Sequence, residues 1–463
     1  MTSSDVTLSG LLGGASARFK GFTSATDETG NPVSSNVQGQ DASGKTTTNE
    51  GLTGGGGVVV NVVNHMVQGL VGNLATKATP TVLSTPANIS VTSSISETEQ
   101  EIAQASATRP EGKGNGSAVA LAVAVGIYDS SSQAIIEANT VSDAGMATTI
   151  TSDVHYPVLI DPKQIILGIP AAFVSQGMGE LTNLMDGTPG FGTALLTTWI
   201  GSQASPDGAG TSSLNGSVAV NLYNNTSQAL ISGGAQINQA AADQNSSQSV
   251  SLSATTEITM IDLVGIGNFG LNANGVKSFQ ESVAEDGWSK ALTGGSLFDV
   301  FGRSNGQSIG GSVLFNDLND TTTAQVEDGA AVYAGSSGGL TINSAKTILR
   351  IDIAQAGGLA SGTDAKLAFA GSGLGYRDRG TTTAGITTGP LGVTVTGGGP
   401  VTISATTGGT QVGIAGAIVI GEGGVASVGI SVLVNDIQRT TAGYAGPDPT
   451  VDANTTPSGT SDL

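Results

Sequence analysis

The chain contains no cysteine, so neither a disulfide framework nor a thiolate metal site can hold it together. Aromatic residues supply only 4% and charged residues only 11% of its 463 positions. So few aromatics leave little with which to fill the core of a β-sandwich. Lys and Arg number 16 against 36 Asp and Glu, a balance that argues against a nucleic-acid partner. The resulting net charge of −20 equally disfavours docking on anionic lipid. No stretch reaches the roughly 20 apolar residues that a membrane-spanning helix needs. The opening Met1 to Val6 lacks the basic and apolar regions of a signal peptide, and the chain reads as an internal segment of something longer.

What the chain has in excess is glycine, 70 residues, alongside Val, Ile, Ala and Thr. That mixture suits thin β-layers joined by tight turns. The key stretch is Gly216 to Ala235, which alternates apolar and polar residues, passes an Asn/Thr/Ser run and stops at a glycine pair. Alone it reads as two short strands about a corner. Related stretches lie at 58–71, 116–136, 311–326 and 430–443. Aligned, they superpose Asn61, Gly126, Asn221, Asn316 and Asn435, at spacings of 65, 95, 95 and 119 residues. A second unit, a short strand with Ser/Thr outward and Val/Ile/Leu inward, recurs at 88–93, 148–152, 249–255, 340–345 and 401–406.

Strands recurring with irregular insertions predict an all-β fold, an elongated parallel β-solenoid (β-helix) with short helical insertions. The β-sandwich is the competing architecture. The boundaries read as a Ser/Thr/Gly-rich arm or capping segment over 1–56 and a solenoid over 57–445. A Pro/Thr/Ser-rich tail covers 446–463. Insertions at about 156–200 and 260–301 carry apolar residues at helical spacing and both Trp residues, and are expected to pack over one face. Asn61, Asn64, Asn221, Asn224, Asn316, Asn319 and Asn435 are assigned to the corners, where stacked amides form ladders and tolerate left-handed backbone.

The Gly-Ser-Val-Ala-Val-Asn unit paired with a Val-Thr-Ile-Ser-Ala-Thr strand resembles the repeats of giant bacterial surface proteins. Those are the filamentous-haemagglutinin-like and leukotoxin-type filamentous adhesins. The resemblance spans about 58–443. It implies parallel β-helices, an extracellular or cell-surface location, and a structural or adhesive role. Expected partners are other copies of the chain or adjoining repeats of a longer one, together with cell-surface glycans or matrix. A self-assembling filament, sheath or surface layer is the alternative.

Chemistry is sparse. His65 falls at a repeat corner and His155 opens an insertion, neither with an identifiable catalytic partner. Glu281 and Glu285, with Asp286 beside them, read as a solvated helix face. A polysaccharide-processing solenoid enzyme, the second alternative, needs an acidic cluster with Arg or Lys in one groove, and no catalytic or cofactor-binding residue is assigned. Asp317, Asp320 and Asp436, beside the Asn positions, are the candidate calcium ligands. The runs Thr321–Thr323, Thr381–Thr383 and Thr440–Thr441 are too unevenly spaced in sequence for an ice-binding array.

Overall fold

The computed structural model describes residues 35–38, 51–72, 79–97, 101–109, 116–156, 197–206, 209–265, 303–360, 366–387, 389–421, 426–446, 450–451 and 455–461. β1 (Ser35–Gln38) precedes six coils. The first holds β2 (Gly51–Val71), β3 (Thr81–Thr85), β4 (Ile89–Ser96) and β5 (Glu101–Arg109). The second holds β6 (Gly116–Ile136), β7 (Thr140–Ala144), β8 (Ala147–Tyr156) and β9 (Thr198–Pro206). The third is β10 (Ala209–Ile231), β11 (Gln236–Ile237) and β12 (Ser249–Val264). The fourth is β13 (Arg303–Val326), β14 (Ala331–Tyr333) and β15 (Gly339–Ala360). The fifth is β16 (Leu367–Ile386), β17 (Thr394–Thr396) and β18 (Val401–Gly421), and the sixth β19 (Ala426–Ala445), β20 (Thr450–Val451) and β21 (Thr455–Ser461).

Like strands of successive coils stack into three walls. Sheet I is β2-β6-β10-β13-β16-β19, and sheet II is β3-β7-β11-β14-β17-β20. Sheet III stacks β4-β8-β12-β15-β18-β21, with β5 and β9 completing the first two rungs and β1 on β5. All these strand pairings are parallel, the arrangement of a solenoid and not of an antiparallel sandwich. Sheets I and III face each other across the core and meet where Arg303 and Ser304 pair with Leu359 and Ala360.

The repeat alignment holds in register: Asn61, Gly126, Asn221 and Asn316 are successive partners. Between Asn316 and Asn435 lies a rung that the sequence reading missed, β16, whose Tyr376 pairs with both. The 119-residue gap is therefore two coils of 60 and 59 residues. Gly371 to Asp378 lies within this strand.

The corner assignment is corrected. Asn61, Asn64, Asn221, Asn224, Asn316, Asn319 and Asn435 all lie inside long sheet I strands, and Gly216 to Ile231 is one unbroken segment of β10. Polar residues there continue the two-residue alternation, so the run was a strand with a buried polar phase. The turns out of sheet I use Gly72, Asn139, Gly234, Gly329 and Gly392, at positive φ from 57° to 126°. Left-handed asparagine does occur, at Asn139 and Asn238.

Boundaries also shift. β2 begins at Gly51, inside the stretch assigned to the arm, and β20 and β21 add a rung from within the assigned tail. Tyr156, Thr198–Ile200 and Met260–Val264 belong to strands. The helical reading of 157–196 and 266–301, with Glu281, Glu285 and Asp286, lies outside the described residues.

Inside each coil the filling changes along the strand. Next to sheet II, Ile136, Ile150, Ile231, Ile237, Leu252 and Val326 form a broad aliphatic core. At the far end the two sheets close to backbone contact: a Cβ on Gly310 would lie 2.0 Å from the Gly357 carbonyl oxygen. Small side chains predominate: Ala118, Ala120, Ala122 and Ala124 line this stretch with Ala103, Ala105 and Ala107 opposite, and Leu314 and Leu374 enter only in the Ala124 column, next to the seam.

Candidate functional surfaces and a buried amide–carboxylate column

Between the aliphatic end and the alanine end lies a polar seam. Ser93 and Ser132 hydroxyls are 2.6 Å apart, Ser152 bonds Ser132 at 3.0 Å, and Ser227 donates to Ser152 at 2.9 Å. Thr256 and Thr322 (2.8 Å), then Thr407 with Thr382 (2.8 Å) and Thr441 (2.9 Å), repeat this bridge in later coils. These hydroxyls are inward ladders, where sequence alone placed Ser and Thr outside.

The recurring asparagines have a buried function. Opposite their column, sheet III stacks Glu101, Thr198, Asp262 and Asp352 in register. Asn316 Nδ2 donates to Asp262 Oδ2 at 3.0 Å and Asp352 Oδ1 at 3.3 Å. The Asn221 amide sits 3.0 Å from Glu101 Oε2 and 2.9 Å from Thr198 Oγ1. Gly126 interrupts the column because Glu101 and Tyr128 occupy its side-chain space: a Cβ would lie 2.3 Å from Glu101 Oε1. Tyr128 donates to that oxygen at 2.6 Å, and Asn61 donates to the Tyr128 hydroxyl at 3.2 Å. The outward members behave differently. Asn224 donates to Asp129 at 2.7 Å, Asn319 to Asn224 at 3.4 Å, and Asn64 pairs in register with Asp129. Asn435 continues the inward column beyond Tyr376 but is exposed on the last long strand.

Burial dominates the charges in this seam. It pushes the Glu101 carboxyl up to about 7, against the pull of the Tyr128 hydrogen bond. It also raises Asp262, although Arg350 opposes the shift. Arg350 Nη2 lies 3.1 Å from Asp262 Oδ2, its Nε 2.6 Å from Asp352 Oδ2, and its guanidinium carbon 4.6 Å from the Tyr376 ring centroid. A second cluster joins Lys346 to Asp320 and Asp378, with Arg439 on Asp378. These acidic residues with Arg or Lys are the grouping a lyase-type reading asks for, but both clusters lie between the sheets and away from solvent.

The three candidate calcium ligands do not converge. Asp317 and Asp436 share an outward column with Arg377 between them, whereas Asp320 faces inward. Arg377 and Arg379 bind Asp317, and the Arg377 hydrogen bond, its largest influence, holds this carboxyl below the usual range. Among the described residues no group of three or more His, Asp or Glu side chains is placed to hold a metal ion. His65 touches Glu97, and His155 Nδ1 lies 3.2 Å from Glu257 Oε2 on the neighbouring rung.

Two outer faces remain. On sheet III, three outward columns run through Ser90, Thr92 and Ser94, then Thr149, Thr151 and Asp153, and so on to Thr402, Ser404 and Thr406. Twelve of these fifteen positions are Ser or Thr, and Asp153, Asn343 and Ala345 are the rest. Thr226, Thr321, Thr381 and Thr440 align in one outward column of sheet I, so threonines unevenly spaced in sequence are evenly spaced in the fold.

The other face reverses expectation. In the first half of sheet I, most clearly in β6, small residues point in and larger ones out. Four outward columns contain Gly54, Gly56, Val58 and Val60, and their partners along the rungs are Val119, Leu121, Val123 and Val125, Leu214, Gly216, Val218 and Val220, continuing to β19. All 24 positions are Val, Leu, Ile, Phe or Gly. Val58, Leu121, Leu214, Val313 and Val432 are 39–53% exposed. At about 4.8 Å between rungs and 6.8 Å between columns, this face covers on the order of 800 Å². No family model, curated protein or solved structure matches this chain.

Proposed function

We propose that this chain is a structural and adhesive segment of a large extracellular or cell-surface bacterial protein, a rigid solenoid whose sheet I face is a contact surface for a second copy. The apolar face of 24 positions carries this reading. Monomeric proteins rarely leave several hundred Å² of contiguous apolar surface open, and about 800 Å² per partner is the usual size of a stable interface. The face is flat and free of charge, so two copies can lay it together as packed sheets do, with glycines receiving opposing Val and Leu. A net charge of −20 works against an anionic membrane as the occupant. The resemblance of the repeats to filamentous adhesins supports the cell-surface setting.

Light scattering during size-exclusion chromatography tests the contact. The wild-type chain is expected at twice the single-chain mass, and Val123→Asp/Val218→Asp at the single-chain mass with an unchanged circular dichroism spectrum. Electron micrographs then show rods paired side by side in the first sample only. A wild-type chain that stays single at every concentration, with rods lying apart, overturns the reading.

A further inference from the structure

The buried Lys346 cluster is laid out for chemistry as well as for charge pairing. Lys346 Nζ lies 2.7 Å from Asp320 Oδ2 and 2.9 Å from Asp378 Oδ1, and all three side chains are fully buried. Nζ donates a hydrogen bond to Asp378, yet its approach to Asp320 is not of hydrogen-bond geometry and Asp320 Oδ2 has no hydrogen-bond partner. The other Asp320 oxygen, Oδ1, accepts from Asn225 Nδ2 at 2.7 Å. Arg439 holds the second oxygen of Asp378. Gly380, the rung partner of Asp320, keeps the space open: a Cβ there would lie 2.6 Å from Nζ.

We propose that Lys346 and Asp320 condense into an amide, an intramolecular cross-link between sheet III and sheet I. Every part is in place. In a dry site an ammonium–carboxylate pair gives way to neutral amine and neutral acid by one proton transfer. Burial drives the Asp320 carboxyl upward, in the direction of that neutral acid. The Nζ lone pair then attacks Cγ, and charge gathering on Oδ1 is met by the Asn225 amide. Asp378, whose other oxygen is held by Arg439, takes a proton from the attacking nitrogen and passes it to the departing hydroxyl. The Nζ–Cγ bond forms, the Cγ–Oδ2 bond breaks and one water leaves. No oxidant, metal or cofactor enters the balance.

Intact-mass spectrometry of the folded, purified chain, followed by denaturation and tryptic mapping, reads the bond directly. The chain is expected to weigh one water less than its sequence. Trypsin is expected to spare the bond after Lys346, leaving residues 304–350 as one internally looped peptide a water lighter than its sequence, which cleavage after Glu327 opens into two segments still joined through Asp320 and Lys346. Asp320→Ala and Lys346→Arg each restore the full mass, and Asp378→Asn slows bond formation at least tenfold. A wild-type chain of full mass that trypsin cuts after Lys346 overturns the proposal, independently of whether any variant folds. So does a water loss on a peptide that ends at Lys346 and that falls apart on cleavage after Glu327, as cyclisation at Asp328-Gly329 would give.

Discussion

The two ends of each coil solve the same packing problem in opposite ways. Beside sheet II, large aliphatic residues point inward and Thr, Gln and Ser point out, as in an ordinary half-buried sheet. At the far end most inward positions of sheet I are Ala, Gly or Ser, with Leu314 and Leu374 entering beside the seam, and Val, Leu, Ile and Phe point out together with Gly. The difference follows from the distance between sheets I and III. Where backbones touch, side-chain volume has only the outside to occupy, and the polar seam marks where the spacing changes. Interior and exterior are therefore set by sheet separation, not by hydrophobicity alone.

Perturbations rank by where they fall along that gradient. Arg350→Ala strikes the seam and leaves Asp262 and Asp352 buried without their cation. A loss of about 3–5 kcal/mol is expected in urea titrations, with recovery on lowering the pH. Ile237→Ala opens a cavity at the wide end and is expected to cost about 2–5 kcal/mol, whereas Ala122→Leu at the narrow end costs about 1–3 kcal/mol by overpacking. Equal tolerance of leucine at both ends, read by thermal melts, would break the comparison.

Glu101 gives the seam a pH signature. Its folded value of about 7 stands above the unfolded 4.5, so the folded state keeps a proton that the unfolded state loses. This contribution is fully present below about pH 4.5 and is lost as pH rises to about 7, on the order of 3 kcal/mol in all. Denaturation from pH 4.5 to 7.5 is expected to show stability falling, with a shallower fall in Glu101→Gln; Asp262 contributes in the same direction. The smallest effect belongs to the hydroxyl face, where Thr151→Ala is expected within about 0.5 kcal/mol of wild type.

The alternation and the Val-x-Val-Asn recurrence made the solenoid and most of its register legible. β16 escaped because Tyr376 replaces the asparagine and glycines replace the valines. The reversed end escaped because both phases of Ala118 to Val125 are apolar, and sequence cannot say which phase faces a thin interior. Apart from Arg350–Asp352, the ion clusters join residues 26 to 88 positions apart. A local sign was nonetheless present: Lys346, Arg350 and Asp352 share the two-residue phase of Leu340, Ile342 and Ile348, the phase that points inward. Polar members of an apolar phase mark such seams.

One feature of sheet III has a use beyond this molecule. Four residues separate Ser96 from Glu101, and four separate Glu257 from Asp262, but 42 separate their rung partners His155 and Thr198. After this interval the chain resumes its place in the wall to the residue. This position is a graft port, where a foreign peptide or folded module can be displayed at a fixed height on the rod while the neighbouring rungs keep their pairing.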